Sequence, residues 1–175
     1  MEEIEGVPGL VGLANALTTL RTNDEVARFL RDLCTLPELE ALAQSLGVGD
    51  RIRFTGPLPH EQALAELARC HIHVMPSRID GFGVAHVEAM AAGLPTIGGA
   101  GTGAEDIAGT CEGAFLVRPG DSSALVRTLD ELLRDDARRA QLGEEARRTV
   151  AERFSWETGG NLTVDIYRSA IESHG

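Results

Sequence analysis

Ser77-Arg78-Ile79-Asp80-Gly81-Phe82-Gly83-Val84-Ala85-His86-Val87-Glu88-Ala89-Met90-Ala91-Ala92-Gly93 lies between two short apolar runs. The run before it, Ile72-His73-Val74-Met75, has the β-branched character of a buried strand. The run after it, Leu94-Pro95-Thr96-Ile97-Gly98, opens with a proline and reads as a second strand. Val84 to Ala92 consists largely of good helix formers and has no interior glycine or proline. Gly93 stands where a left-handed residue ends a helix. The spacing predicts strand, glycine-bearing loop, helix, strand: a right-handed βαβ crossover in a parallel sheet.

The loop of such a unit suits an anion. Gly81 and Gly83 let backbone approach a ligand closely, and the free N–H groups of a first helical turn point at whatever sits there. Asp80 lies in the loop and Glu88 about two turns of sequence later. Carboxylates repel phosphate, so these two better accept hydrogen bonds from hydroxyls of a sugar or a ribose. On the glycines alone the simpler reading is a tight turn with Glu88 solvated, because short glycine motifs carry little information.

Taken together, Ser77 to Gly83 and Glu88-Ala89-Met90-Ala91-Ala92-Gly93-Leu94-Pro95 resemble the nucleotide-sugar signature of retaining glycosyltransferases with the GT-B fold, glycosyl transferases group 1 type. That signature has two glutamates, the first followed by Gly-Phe-Gly. Here the first position is Asp80, one methylene shorter, and the second is Glu88. The resemblance continues through Arg51-Ile52-Arg53-Phe54-Thr55-Gly56, Gly103-Ala104-Glu105-Asp106-Ile107, Val117-Arg118-Pro119-Gly120-Asp121 and Glu152-Arg153-Phe154-Ser155-Trp156, covering residues 36 to 173. It implies an α/β fold: a Rossmann-like open parallel sheet with helices on both faces, the donor-binding half of a GT-B enzyme, followed by C-terminal helices. It implies that Gly81, Phe82, Gly83 and Val84 meet the diphosphate and transferred sugar, that Asp80 serves the sugar, and that Glu88 binds the ribose. Arg78 and Glu105 are further donor-binding candidates. Each has a plainer reading, Arg78 as a solvated loop arginine and Glu105 as a carboxylate favoured by a helix dipole. Gly83→Val is expected to remove donor binding while sparing stability.

Outward from the centre, Pro37 to Leu46 reads as a helix, Arg51 to Thr55 as a strand, and His60 to Arg69 as a helix whose Ala63, Leu64 and Leu67 face inward. After a loop from Gly98 to Gly103 come a short helix from Ala104 to Ala108 and a last strand, Ala114 to Val117. Asp121 or Ser122 caps a helix running to Leu133, and Ala137 to Arg153 and Trp156 to Ile171 form two more. The loops from Gly56 to Pro59, Ser77 to Gly83 and Gly98 to Gly103 should converge at the carboxyl ends of the strands. Residues 1 to 35 match the family poorly. Leu10, Leu13, Leu17 and Leu20 predict a helix from Pro8 to Arg21, while Val26, Phe29, Leu30 and Leu33 also follow a helical period where the family's topology calls for a strand.

Composition narrows the function. A 175-residue chain fits one domain with a substantial core, and a net charge of −11, spread rather than blocked, argues against a nucleic-acid groove or an anionic-membrane patch. No run approaches membrane-spanning length, and the acidic start is the wrong beginning for a signal peptide, so a cytoplasmic location is expected. Cys34, Cys70 and Cys111 have no C-x-x-C pairing and suit reduced thiols. His60, His71, His73, His86 and His174 lack metal-ligand spacing, so no metal is assigned; His71 and His73 share one face of a strand as core or edge residues, and His86 reads as packing. Ser77 has no G-x-S-x-G frame for a hydrolase, and no G-x-G-x-x-G follows a first strand as a dinucleotide oxidoreductase requires.

Two functions stand. The chain is a glycosyltransferase donor domain, moving sugar from a nucleoside-diphosphate sugar with retention and no other cofactor. Or it is a binding module without turnover of its own, partnered by a separate acceptor-binding domain or a second copy. The resembled enzymes carry an Arg and a Lys near the first strand of this domain, and this chain has no lysine. It thus reads as a truncated donor half, inactive alone.

Overall fold

The computed structural model describes residues 36–173. The helix expected over Pro8 to Arg21, the segment from Val26 to Leu33, Cys34 and His174 lie outside the described residues. The chain divides into two compact units after Leu58.

In the first unit, α1 spans Leu36–Ser45, and Gly47 ends it with a φ of 68°. The expected strand from Arg51 to Thr55 does not form. Gly49–Arg51 is a 3₁₀ turn, and Ile52 N bonds back to Gly49 O at 3.2 Å. Ile52 has extended dihedrals, φ −112° and ψ 129°, but extension becomes a strand only with a ladder partner, and none pairs with it among the described residues.

The second unit begins with α2 (His60–Leu67), whose inward stripe is weaker than expected: Ala63 and Leu67 are half-buried and Leu64 is exposed. Next come β1 (His73–Met75), α3 (Val84–Ala91), β2 (Thr96–Gly99), α4 (Ala104–Ala108) and β3 (Ala114–Val117). Three longer helices follow, α5 (Ser122–Arg134), α6 (Asp136–Arg153) and α7 (Trp156–Ser173). The strands pair in parallel in the order β1-β2-β3, with Val74 opposite Ile97 and Ile97 opposite Phe115.

Side-chain alternation along β2 explains why helices cover both faces. All four of its residues are buried. Ile97, with Val117 and Phe115, packs against Leu132 of α5 and Leu142 of α6. Thr96 and Gly98 point the other way, to His86 of α3 and Ala104 of α4. On that side Met90, Ile107, Cys111 and Ala146 form a second cluster. Gly93, at φ 81°, stops α3 in a Schellman arrangement, its N–H donating to Met90 O and that of Leu94 to Ala89 O. Asp121 caps α5 through a 2.8 Å bond from Ala124 N, as expected. Cys70 and Cys111 are free thiols. Among the described residues no helix is long and apolar enough to cross a membrane.

Candidate functional site

Parallel strands deliver their outgoing loops to one end of the sheet, and the loops after β1 and β2 are therefore neighbours. Gly103 N donates to Asp80 O at 3.0 Å. The loops pack backbone to backbone: a Cβ on Gly103 would stand 2.5 Å from Gly81 O, and one on Gly99 would collide with Ser77 O. Glycine is thus required at 99 and 103 for reasons of space.

The glycine loop feeds directly into α3. Gly83 adopts the left-handed conformation, φ 84° and ψ 44°, and its carbonyl accepts from His86 N at 2.8 Å and Val87 N at 3.3 Å. No side chain caps the turn. The N–H groups of Val84 and Ala85 therefore have no acceptor within the helix ladder and sit at its positive end. Gly81 is exposed, with nothing within 4 Å of an added Cβ. Phe82 is half in solvent, 47% exposed, and its ring meets Phe154 edge to face at 6.0 Å. Val84 is 59% exposed. A cavity of about 600 Å³ opens beside these two, bounded by Val87, Phe154 and Trp156.

The carboxylates differ in setting. Asp80 Oδ2 lies 3.6 Å from the position a Gly83 Cβ would take. Glu88, on α3 and 30% exposed, has Oε1 3.6 Å from His60 Nε2 at the first turn of α2. His60 carried no ligand spacing in the sequence; its place just after Pro57-Leu58-Pro59, at a helix start, was the one signal for it. Glu105 accepts from Gly101 N at 2.7 Å, so its carboxylate already serves its own loop. The Arg78 guanidinium lies against Gly120, in the loop after β3, 3.2 Å from an added Cβ there. Asp80, Gly81, Phe82, Gly83 and Val84 thus form one cluster, with Glu88 farther along α3 and Arg78 and Glu105 turned to other loops.

Below the cluster lies a polar trio that sequence reasoning missed. Thr96 Oγ1 is 2.8 Å from His73 Nδ1 and 2.6 Å from His86 Nδ1. His86 packs as expected, at 1% exposure, but it also bonds. Its place three residues after Gly83, on the turn facing back toward the loop, was the available signal. His71 does not share a strand face with His73: it precedes β1 and is exposed. Among the described residues no group of three or more His, Cys, Asp or Glu is placed to hold a metal.

Burial pushes the His73 imidazole down to about 4, with His86 adding to the effect, and burial also lowers His86 although Asp80 opposes it. An unfolded imidazole, near 6.5, binds protons that the folded one refuses. Stability is therefore full above about pH 6.5 and falls as pH drops toward 4. From His73 the loss at pH 5 is expected to be about 2 kcal/mol relative to pH 7.5. Urea denaturation at the two pH values checks it, with His73→Asn shrinking the difference; an undiminished loss in that variant would contradict the assignment.

This chain shares sequence with named glycosyltransferases. It is 35% identical over 136 residues to a D-inositol 3-phosphate glycosyltransferase of Streptomyces avermitilis, covering 78% of this chain and 29% of that one. It is 33% identical over 165 residues to an MMP alpha-(1->4)-mannosyltransferase of Mycolicibacterium hassiacum, covering 93% of this chain and 40% of the other. The chain thus spans less than half the length of these relatives. In three dimensions it resembles sucrose-phosphate synthase from Thermosynechococcus elongatus, with a TM-score of 0.69 and 27% identity, over 94% of this chain and 43% of that one. The open parallel sheet with helices on both faces is the Rossmann-like arrangement of a GT-B fold. Residues 35–149 match the family model described as glycosyl transferases group 1, and the chain belongs to that family.

Proposed function

We infer that residues 36–173 bind a nucleoside-diphosphate sugar and serve as the donor half of a retaining glycosyltransferase. The observation that carries this is the uncapped first turn of α3, reached through exposed Gly81 and left-handed Gly83, with Asp80 on its near side. The free N–H groups there suit the diphosphate, and with no lysine in the chain they and the helix dipole supply much of its stabilisation. Asp80, in the same loop, takes hydroxyls of the transferred sugar. Glu88 takes the ribose hydroxyls, with His60 beside it. Arg78, on the same loop with its guanidinium against Gly120, and Glu105, in α4 with its carboxylate on Gly101 N, are the outlying members of this donor set.

Calorimetric titration with UDP-glucose, GDP-mannose and ADP-glucose tests the reading. One of these is expected to bind, and Glu88→Gln to weaken it by about 1–3 kcal/mol, the scale of a charge-assisted hydrogen bond. Equal affinity in both proteins would remove Glu88 from the site. Binding without turnover is the second reading, and the absence of lysine favours it, since the departing diphosphate then has less countercharge.

A further inference from the structure

The trio beneath the glycine loop has a use that donor binding by backbone amides does not explain. A hydroxyl carries one proton, so Thr96 can donate to only one of the two imidazoles at its oxygen; the other must donate its own Nδ1–H. Were both imidazoles to donate to Thr96, its buried hydroxyl proton would have no acceptor among the described residues, so two neutral arrangements are left. Either His73 donates to Thr96 and Thr96 to His86, which places the His86 proton on Nε2, or the chain runs in reverse and His86 Nε2 is a bare lone pair.

The surroundings of His86 decide between them. Its Nε2 is buried and has no hydrogen-bond partner among the described residues. The ring is wedged between two glycines: an added Cβ on Gly98 would be 3.3 Å from Nε2, and one on Gly83 would be 2.9 Å from the adjoining ring carbon Cδ2. That same point over Gly83 is 3.6 Å from Asp80 Oδ2 and 3.3 Å from the apolar Ile107 Cδ1, while the point over Gly98 meets the apolar Ala104 Cβ besides the ring. The Asp80 carboxylate and the Cδ2 edge of the His86 ring thus both border the space over Gly83, and the charge of Asp80 reaches the imidazole. A carboxylate's field favours an N–H on that edge of the ring and disfavours a lone pair.

We propose that His86, held by His73 and Thr96 in its Nε2–H form, is a positioning residue that donates a hydrogen bond from Nε2 to the Asp80 carboxylate when a nucleotide sugar fills the site. This rests on the donor reading above and deepens it. Asp80 is one methylene shorter than the glutamate of the resembled signature, and a donor behind it fixes where its oxygens face. Pairing would also satisfy the one buried side-chain nitrogen or oxygen left without a partner among the described residues.

The test has two arms on the full chain. In the first, ¹⁵N imidazole spectra of the ligand-free protein should show a protonated Nε2 and an accepting Nδ1 at His86, with the Nε2 resonance moving in Asp80→Asn. The opposite tautomer overturns the proposal whatever the ligand does. In the second, His86→Asn keeps an amide at the Nδ1 position and His86→Gln keeps one near Nε2. For whichever of UDP-glucose, GDP-mannose and ADP-glucose binds the wild type, Asn should weaken affinity about tenfold and Gln should restore most of it. The matching nucleoside diphosphate, which lacks the transferred sugar that Asp80 holds, should bind all three proteins alike. Affinities that fall together in both variants and track their Tm would overturn the proposal by making His86 purely structural. A wild type that binds the diphosphate but none of the sugars also overturns it, and one that binds neither overturns the donor reading itself.

Discussion

Gly83→Val is expected to destabilise the protein by about 2–5 kcal/mol and to remove nucleotide-sugar binding with it. A β-branched residue at φ 84° costs about 1–2 kcal/mol on backbone sterics alone. Its Cβ would also press on the His86 ring at 2.9 Å and on Ile107 at 3.3 Å. Neither can yield easily, because the ring is tied to Thr96 and Ile107 is fully in the core, so overpacking adds about 1–3 kcal/mol. This corrects the expectation that the substitution would spare stability: the glycine is needed for the fold as well as for any ligand. Urea denaturation measures the loss, and a variant as stable as wild type would contradict the left-handed, ring-packed geometry. Gly81 provides the contrast. It has open space where a Cβ would go, so Gly81→Ala should change stability by no more than about 0.5 kcal/mol. A drop in nucleotide-sugar affinity in Gly81→Ala then reports close approach of a ligand to the backbone.

Glycosyl transfer by the 175-residue chain on its own is expected to be undetectable beside that of a full-length relative. Transfer requires an acceptor hydroxyl held in near-attack position, and such positioning is worth roughly 7–11 kcal/mol, or about 10⁵–10⁸ in rate. Residues 36–173 are all engaged by the donor reading, and the chain spans 29% and 40% of two relatives that transfer sugar. Slow release of nucleotide by hydrolysis remains compatible with the site, since water requires no acceptor domain. The check is an assay that follows both released nucleoside diphosphate and glycosylated product across a library of acceptors. Robust product without an added partner would show that the chain supplies its own acceptor site.

The central unit was legible because several independent signals agreed there. The β-branched runs, the proline at Pro95, the helix formers from Val84 and the stop at Gly93 each favoured the same βαβ reading, and β1, α3 and β2 appear where these place them. Asp121 at its cap and Ala114–Val117 as a strand were legible for the same reason. Arg51 to Thr55 misled because alternation marks a strand only if a neighbour supplies the ladder, and periodicity is silent about neighbours. Leu64 misled in a related way: a helical stripe shows which side is apolar, not how deeply that side is covered. The glycines and Asp80 could be placed in the loop before α3 from spacing, while their assignment to a site came from the resemblance. The Thr96 bridge between two histidines could not, because it joins residues 73, 86 and 96 through sheet register, and His73 opposite Thr96 is a tertiary fact.

The most direct test of the donor reading is an amide ¹H–¹⁵N chemical-shift map of the wild-type chain during titration with UDP-glucose, GDP-mannose and ADP-glucose. Saturable shifts are expected, for at least one of the three, centred on the amides of Gly81, Phe82, Gly83, Val84 and Ala85, with Glu88 and Gly103 following. Shifts confined to the cavity beside Phe154 and Trp156, or no shifts with any of the three, would contradict it.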